Sequence, residues 1–594
     1  MAYEEKWVVC AKRADFKELA KKLNIDQVTA RVLVNRDIPE EEMEAFLHPT
    51  LDMLHDPRLL KDGDKAASIL KEYIDSGKKI RIIGDYDIDG ICSTFILHDA
   101  MKYLSGNVDY AIPHRISDGY GINGKMVKAA KEEGVELIIT CDNGISAFDA
   151  MDWAKEEGIP VIITDHHELQ FAEDPDDGSF YDRIPECEAA VNPHRRDCPY
   201  PFKEICGAEV AFKVVQILFS LYGKDENEAI ERYLPFAAFA TIGDIMPLKD
   251  ENRAIVKFGL EALQKTDNPG MKALIERTGL SDAKLSVYHV GFVLGPCFNA
   301  SGRLDTATLA IELLEEEDES RAVQRAEELV VLNDERKEMT KEGDERALSL
   351  IEDKKMEEDP VLVLYVPGLH ESLAGLVAGH IKEKYYRPTF VLTDAEDGGL
   401  KGSGRSIPGY PMFLRLTEVD ELLSKYGGHP MAAGLSLPKE NLPEFRKSLI
   451  EKCNLSEKEL TKKIMIDVPM PISYVSERVV HETEALEPFG QGNENPVFAD
   501  KDVRIARIAE IGREKQFLRL SLSLPNDLTM SGMCFRNASD IKNAITEKYG
   551  EEMYYRLLRG DRTADVRISF TYRPNINVYN GEESLQVLIS EFKI

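Results

Sequence analysis

Short β-branched runs alternate with amphipathic stretches over residues 80–165. The elements that this alternation predicts are strands at residues 80–84, 137–140 and 161–164, with helices near residues 93–104 and 146–157. In the second helix, Ala147, Ala150, Met151 and Ala154 recur at helical spacing. Strands that alternate with helices are typical of a parallel sheet covered on its faces by helices, so we expect an α/β domain here.

The pattern changes after residue 314. A charge-rich stretch at 315–358 carries apolar residues near helical spacing, including Ala326 and Leu329, and predicts a bridging helix. A smaller, strand-rich α/β unit follows. The tail has short alternating strands, such as 503–508 and 517–524, which predict a small all-β barrel or sandwich. The predicted domains are residues 1–314, 315–358, 359–455 and 456–594.

Acidic and imidazole side chains follow each of the three predicted strands. They are Asp85, Asp87 and Asp89, then Asp142, then Asp165, His166 and His167. A fourth apolar run, at 236–243, leads to Asp244 in the same way. Because ligands bind at the carboxyl ends of strands in open α/β sheets, we expect these groups to converge.

Several carboxylates crowded in one crevice repel one another unless cations compensate their charge. Oxygen-rich sites with one or two imidazoles suit Mn²⁺ or Mg²⁺ better than Zn²⁺, although the sequence leaves zinc open. A lone Asp after a strand is usually a helix cap or a turn residue. Their joint occurrence at successive strand ends instead predicts a site for two divalent ions that activates water for phosphoryl displacement.

Four motifs carry a family resemblance: DYDIDG at 85–90, CDNG at 141–144, TDHHE at 164–168 and IGDIMP at 242–247. In this order they resemble the motifs of the DHH phosphoesterase superfamily. The metal ligands that this resemblance implies are Asp85, Asp87, Asp89, Asp142, His166 and Asp244, with Asp142 bridging the two ions and Asp85 either a ligand or a close neighbour. His167 is implied as a catalytic group at the ions or next to them.

Downstream, GSGRS at 402–406 and GGHPMAAG at 427–434 resemble the DHH-associated substrate-binding domain. A glycine-rich turn alone is usually only a turn, but glycines also let backbone amides approach a phosphate, and Arg405 offers a charged fork. Segments 46–60, 114–121, 299–304 and 486–498 resemble parts of the superfamily's single-strand-specific DNA exonucleases, the last one leading into an OB-fold.

This second resemblance implies roles for individual residues. Arg115, Ser403 and Arg405 form a pocket for a terminal 5′-phosphate. Asn299, Arg303 and His429 contact the scissile phosphate as catalytic groups. Two positions depart from the pattern: Cys297 stands where a basic residue is common, and the segment around His370 lacks the usual aromatic and small residues. Both departures bear on strand affinity more than on chemistry.

Composition limits the classes of protein. The 594 residues suggest three to five domains at about 150 residues each. The nine cysteines form no CxxC pair, which argues against a thiolate metal site and a disulfide framework. Apolar runs are too short for a membrane helix and the N-terminal segment is acidic, so we expect a cytoplasmic protein. A net charge of −32 requires a locally basic cleft or bound cations for any polyanionic substrate.

The resulting hypothesis is a 5′ to 3′ exonuclease specific for single-stranded DNA, acting in DNA repair and recombination. It releases 5′-mononucleotides by two-metal hydrolysis. Expected partners are single-stranded DNA and a helicase or single-strand-binding protein, and we expect a monomer that does not bind membranes. Two alternatives stay open: a phosphodiesterase for short RNA or cyclic dinucleotides, and a non-catalytic replication scaffold with the same fold.

Overall fold

The computed structural model describes residues 5–115, 118–173, 179–525, 528–579 and 581–594. Ile116 and Ser117 of the predicted substrate segment at 114–121 lie outside the described residues. The chain forms two compact units. The first contains residues 50–461 and 490–492, and the second contains residues 5–49, 462–489 and 493–594.

The strands and helices that the structure describes are numbered here in chain order. The strands are β1 (Glu5–Val9), β2 (Lys79–Ile83), β3 (Asn107–Ala111), β4 (Leu137–Cys141), β5 (Val161–Thr164), β6 (Gln170–Glu173), β7 (Phe180–Arg183), β8 (Ala189–Val191), β9 (Leu362–Tyr365), β10 (Thr389–Asp394), β11 (Leu400–Arg405), β12 (Lys425–His429), β13 (Ala432–Leu437), β14 (Lys462–Ile466), β15 (Val468–Pro469), β16 (Phe498–Ile511), β17 (Phe517–Ser523), β18 (Thr529–Cys534), β19 (Val566–Tyr579) and β20 (Glu582–Lys593). The helices are α1 (Phe16–Leu23), α2 (Gln27–Asn35), α3 (Met43–Leu47), α4 (Gly63–Asp75), α5 (Ile88–Tyr103), α6 (Gly124–Glu132), α7 (Phe148–Glu157), α8 (Gly207–Leu221), α9 (Glu226–Gly243), α10 (Asp250–Leu263), α11 (Pro269–Arg277), α12 (Val287–His289), α13 (Gly295–Leu304), α14 (Thr308–Glu315), α15 (Glu319–Lys354), α16 (Ala374–Tyr385), α17 (Met412–Thr417), α18 (Leu442–Glu451), α19 (Glu477–Glu484), α20 (Ala538–Tyr549) and α21 (Glu551–Arg559).

The first unit contains the predicted parallel sheet, with strand order β3-β2-β4-β5-β8. Its central strands are Val/Ile-rich and buried on both faces, as strands covered by helices are. Ile82 packs on one side with residues of α4, α5 and α8, whereas Ile83 packs on the other side with residues of α6 and α7. The α/β prediction for this region is confirmed.

The same unit holds a second, mixed sheet in the order β12-β13-β11-β10-β9. Helix α15 leads into it, and α15 and α16 cover one of its faces. The predicted bridging helix is therefore present, but it is shorter than residues 315–358. It begins after Asp318, whose side chain accepts a hydrogen bond from the Arg321 N–H and so caps the helix.

The second unit contains the predicted barrel, which is confirmed as an OB-type fold. Strand β16 pairs with both β17 and β19, and this double pairing closes the ring β16-β17-β18-β20-β19. The segment 5–49, which the sequence analysis groups with the catalytic domain, packs in this unit instead: β1 pairs with β14, and Leu33 and Leu47 lie in the barrel's core cluster. Within the described residues, no helix combines the length and apolar character needed to span a bilayer.

Candidate metal centre and arginine cluster

The acidic cluster, defined as Asp85, Asp87, Asp89, Asp142, His166, His167 and Asp244, gathers at the carboxyl edge of the parallel sheet. Asp87 caps α5 and accepts hydrogen bonds from the Asp89 N–H (3.0 Å) and the Gly90 N–H (3.2 Å). Asp89 in turn accepts from the N–H groups of Gly207 (2.6 Å) and Ala208 (2.7 Å), which open helix α8. A helix N-terminus therefore holds this carboxylate in place.

Gly207 is required by this close approach. A Cβ atom at this position would lie 2.7 Å from the Asp142 Cβ and 2.9 Å from Asp89 Oδ2. Both neighbours are among the predicted metal ligands, so any side chain here would push two ligands out of position.

Asp142 follows β4 with a left-handed backbone (φ 60°), a conformation that Asp tolerates better than most residues. The next residue, Asn143, is buried and donates hydrogen bonds to the carbonyls of Ile83 (3.1 Å) and Cys141 (2.9 Å). The Tyr120 hydroxyl donates to the Asp142 carbonyl (2.7 Å). These bonds fix the turn that carries the central carboxylate.

The two histidines are positioned by Asp165, which the predicted ligand set does not include. Its Oδ1 accepts from the N–H groups of His166 (2.8 Å) and His167 (3.1 Å), and it lies 2.8 Å from His167 Nδ1. Burial alone would lower the pKa of His167, but the hydrogen bond with Asp165 and nearby carboxylates raise this pKa to about 9. His166 Nε2 lies 3.2 Å from Asp142 Oδ1 and 3.8 Å from Asp244 Oδ2.

Asp244 reaches the cluster from a helix. The run at 236–243, which the sequence analysis treats like the preceding strands, is the C-terminal part of α9, and Asp244 is its C-cap residue. That part of the prediction is wrong because a short apolar run fits a buried helix as well as a buried strand. The location of the carboxylate in the acidic cluster is nevertheless as expected.

The donor set fits divalent ions. Three groups have ligand atoms within 4.8 Å of one another: Asp142 with His166 and His167; Asp89 with His166 and Asp244; and Asp85 with Asp87 and Asp142. Asp142 belongs to two of them, as expected of a bridging ligand. Oδ1 of Asp85 and Oδ1 of Asp142 are buried and form no hydrogen bond within the described residues. Carboxylates with one or two imidazoles are the donors that Mn²⁺ and Mg²⁺ accept.

The pKa values of the carboxyl groups in the acidic cluster also indicate that the site requires bound cations. Burial, followed by the charges of neighbouring carboxylates, raises the pKa values of Asp85, Asp87 and Asp142 above the usual range. The same causes raise the pKa of Asp244 to about 8. Without metal, these carboxyl groups take up protons, whereas divalent ions would stabilise their ionised forms.

Four arginines form a second group, the arginine cluster: Arg115, Arg303, Arg336 and Arg405. None of them forms an ion pair with a carboxylate that the structure describes. Burial, then the positive charges of the other three, lowers the pKa of Arg303 to about 10. Such unpaired, mutually repelling guanidinium groups are unusual in a chain of net charge −32 and favour an anion as their partner.

Helix α13 joins the two groups. Asn299 Oδ1 accepts a hydrogen bond from the N–H of Ile88 (3.1 Å), the first residue of α5, which lies between Asp87 and Asp89. One helical turn later, Arg303 Nη1 donates to the Ser372 carbonyl (2.8 Å) beside α16. Both predicted residues therefore lie between the acidic cluster and the second sheet.

Ser403 and Arg405 alternate along β11 and so share one face of the second sheet. Arg405 lies opposite Ala432 of β13, which in turn lies opposite His429 of β12. His429 is exposed, and no contact described for it reaches the acidic cluster. The guanidinium of Arg115 lies 4.7 Å from the ring centre of Tyr86.

Three further residues at the site are absent from the predicted set: Asp165, Tyr120 and Arg336. Asp165 lies in the motif at 164–168 and Tyr120 in the segment at 114–121, so both could have been predicted from the sequence as residues of the site. Arg336 gives no such signal, because it is one of many charged residues on α15. Its Nε donates to Asn333 Oδ1 (3.1 Å), and its charge acts on Arg303 because α15 packs beside α13 in the folded chain.

Comparison with known protein families agrees with this architecture. The chain matches the DHH family N-terminal domain over residues 79–241, the DHHA1 domain over residues 358–455 and the RecJ OB domain over residues 466–591. These matches cover the two sheets of the first unit and the barrel of the second. The fold and the acidic cluster define a metal-dependent protein of the DHH phosphoesterase class.

Individual relatives show to which family within this class the chain is similar in sequence. The single-stranded-DNA-specific exonuclease RecJ of Bacillus subtilis is 34% identical over 97% of this chain and 69% of its own length, and that of Escherichia coli is 32% identical over 89% and 90%. The crystal structure of RecJ from Thermus thermophilus in complex with Mn²⁺ aligns with a TM-score of 0.77 at 25% identity, covering 100% of this chain and 80% of that one. The chain belongs to the RecJ family.

Proposed function

We propose that this protein is a single-stranded-DNA-specific exonuclease that degrades DNA from the 5′ end and releases 5′-mononucleotides. The observation that carries the proposal is the pair of clusters joined by α13. Carboxylates that fit two divalent ions lie at one end, and arginines with no carboxylate partner among the described residues lie at the other. A terminal phosphate held by the arginines would place the first phosphodiester bond at the ions.

The acidic cluster supplies the chemistry. Asp85, Asp87, Asp89, Asp142, His166 and Asp244 would hold Mn²⁺ or Mg²⁺. When bound, two such ions activate water and neutralise the charge that develops on the phosphate oxygens. His167, whose Nδ1 lies 2.8 Å from Asp165 and whose Nε2 lies 3.2 Å from the Tyr120 hydroxyl, would act as a catalytic group beside the ions.

The remaining residues position the strand. Arg115, Ser403 and Arg405 bind the terminal 5′-phosphate, and this pocket sets the polarity of digestion. Asn299, Arg303 and His429 contact the scissile phosphate, with Arg336 adding positive charge behind Arg303. Because phosphate contacts release counterions, we expect binding to weaken steeply with added salt.

The wider setting follows from this substrate. During repair and recombination, single-stranded DNA must be generated from duplex and kept unpaired. A helicase or a single-strand-binding protein is therefore the expected partner. We further propose that the protein works as a monomer, since the first unit of one chain contains both the acidic cluster and the arginine cluster. We also propose that it acts in the cytoplasm.

Digestion of labelled oligonucleotides tests the function. With Mn²⁺ or Mg²⁺, 5′-labelled single strands should release labelled mononucleotide at once, 3′-labelled strands should shorten progressively, and duplexes should survive. Chelator should stop all cleavage. Preference for a dinucleotide over a long strand would favour the short-RNA or cyclic-dinucleotide phosphodiesterase, and full function under chelation would favour a non-catalytic scaffold.

Replacement of Arg405 tests the polarity. We expect Arg405→Ala to reduce kcat/KM about tenfold or more on 5′-phosphorylated strands, because a charged hydrogen bond contributes about 1.5–3 kcal/mol. Strands with a 5′-hydroxyl should be affected much less. Arg415→Ala is the matched control, since Arg415 lies in the same domain but is paired with Glu418. Equal losses on both kinds of end would contradict the pocket.

Gly375 provides a steric test of the same pocket. A Cβ on this residue of α16 would lie 2.7 Å from Arg405 Nη2, so Gly375→Ala must displace the guanidinium. We expect a several-fold rise in KM for phosphorylated strands, measured by steady-state cleavage. Gly379→Ala, in the same helix with no atom within 4 Å of the added Cβ, should leave KM unchanged. Equal rises in KM for both variants would instead mean that the substitutions act by altering α16 itself.

A further inference from the structure

Ile245 and Phe292 are, at 70% each, the most exposed large apolar side chains in the described part of the chain. Each lies two or three residues from a glycine that packs on Ile88, the first residue of α5, between Asp87 and Asp89 of the acidic cluster. A Cβ on Gly243 would lie 2.4 Å from Ile88, and one on Gly295 would lie 3.1 Å from it. The segments that carry Ile245 and Phe292 therefore pack against the first turn of α5, which also carries Asp89 of the acidic cluster.

Phe292 does not stand alone. Its ring stacks on Tyr288, with centroids 5.1 Å apart and planes inclined by 26°, and Tyr288 is itself 59% exposed. Tyr288 lies in α12, and Phe292 lies in the π-helical turn (Val290–Leu294) that joins α12 to α13. Val290 and Leu294 of this turn are buried. π-turns of this kind recur at functional sites. The buried pair anchors the turn in the core and leaves the rings in solvent.

The direction of the helix links these rings to the substrate path. Toward the N-terminus from Arg303 of the arginine cluster come Asn299, bonded to Ile88 at the start of α5, then Phe292 and then Tyr288. Phe292 lies about 16 Å from Arg303 along the axis, at 1.5 Å per residue. A strand with its 5′-phosphate on the arginines and its first bond at the acidic cluster would continue toward the two rings.

We propose that Phe292 and Tyr288, flanked by Ile245, form a platform on which nucleobases stack on the 3′ side of the cleaved bond. The inference rests on the proposed function and adds a base-binding site to it. Clustered exposed apolar side chains indicate a binding surface, and flat aromatic rings beside a phosphate path suit unpaired bases of any sequence. Bases inside a duplex offer no free face, so the platform also favours single strands.

Cleavage of 5′-phosphorylated oligonucleotides by the metal-loaded full chain tests the platform. Phe292→Ala should lower kcat/KM about tenfold on a strand of about ten nucleotides, as expected for the loss of one stacked base. Cleavage of a dinucleotide should be unchanged, and Phe292→Trp should retain activity. Phe171→Ala, which removes a ring that is 63% exposed on β6, is the control and should cleave like the unaltered protein.

Abasic strands give a second readout. A single abasic nucleotide, placed in turn at the second to fifth positions, should slow the unaltered protein at one or two positions and slow Phe292→Ala no further there. If the abasic nucleotide slows Phe292→Ala as much as it slows the unaltered protein, the platform is wrong. Normal cleavage of long strands by Phe292→Ala would also overturn it, and this is the outcome expected if the rings bind a protein instead. An unaltered protein that cuts no single strand would instead refute the proposed function.

Discussion

Asp142→Asn should abolish turnover, lowering kcat on single-stranded DNA by about a thousandfold or more, the upper range for losing one electrostatic group in a catalytic site. The reason is its central location: Asp142 belongs to two of the three groups that fit an ion, so its loss affects both. Single-turnover cleavage in saturating Mn²⁺ measures the effect. Asp149→Asn, at an exposed carboxylate in the first turn of α7, is the matched control.

Asp142→Asn, which should abolish activity, should nevertheless increase the stability of the metal-free protein. Asp142 is buried among carboxylates, and its Oδ1 forms no hydrogen bond within the described residues. Asparagine is neutral without taking up a proton, so the substitution should raise the melting temperature of the metal-free protein near pH 8, by about 3 °C. An inactive variant that melts at a lower temperature than the unaltered protein, even without metal, would mean that Asp142 supports the fold, and the metal-ligand assignment would lose its support.

Removing the metal should make stability depend on pH. The pKa values of Asp85, Asp87, Asp142 and Asp244 are raised in the folded chain, so this state binds more protons than the unfolded one. The stabilisation from protonating these groups is complete below about pH 4, the ordinary carboxyl range, and is lost as pH rises through their folded values, to about 8 for Asp244. The metal-free protein should thus become less stable over this window.

Bound Mn²⁺ should reverse this trend, because it replaces the protons. The rise in melting temperature that Mn²⁺ produces over chelator should be about 5 °C larger near pH 8.5 than near pH 6. Thermal unfolding monitored by intrinsic fluorescence across this range gives the comparison. Na⁺ at equal ionic strength controls for screening. A manganese effect that is the same at every pH would contradict a site built from protonated carboxyls.

The parallel sheet and most of the acidic cluster could be predicted because their signals are local. Strands β2, β4 and β5 are buried on both faces and therefore read as continuous β-branched runs, and each is followed directly by its polar ligands. Asp244 was expected in the acidic cluster, where it does lie, but it was expected to follow a strand, whereas it follows helix α9. Its run is buried in a helix bundle, where apolar side chains surround the helix and erase the 3.6-residue period.

The features that escaped prediction depend on contacts between distant parts of the chain. Segment 5–49 packs with the barrel through bonds such as that from Asn35 Nδ2 to the Asp467 carbonyl (2.8 Å), 432 residues away. Arg336 joins the arginine cluster only because α15 packs beside α13. No periodicity or spacing encodes such pairings, whereas a family resemblance supplied the roles of Arg115, Ser403 and Arg405.

Helix α15 also limits how this protein can change in length. It spans 36 residues, about 54 Å, between the parallel sheet and the second sheet, and Arg336 lies near its middle. One inserted residue would turn everything beyond it by about 100° and shift it by about 1.5 Å, separating Arg405 from Arg303. Insertions and deletions during divergence should therefore collect in exposed loops such as the one between β10 and β11, while the residue count of this helix stays constant.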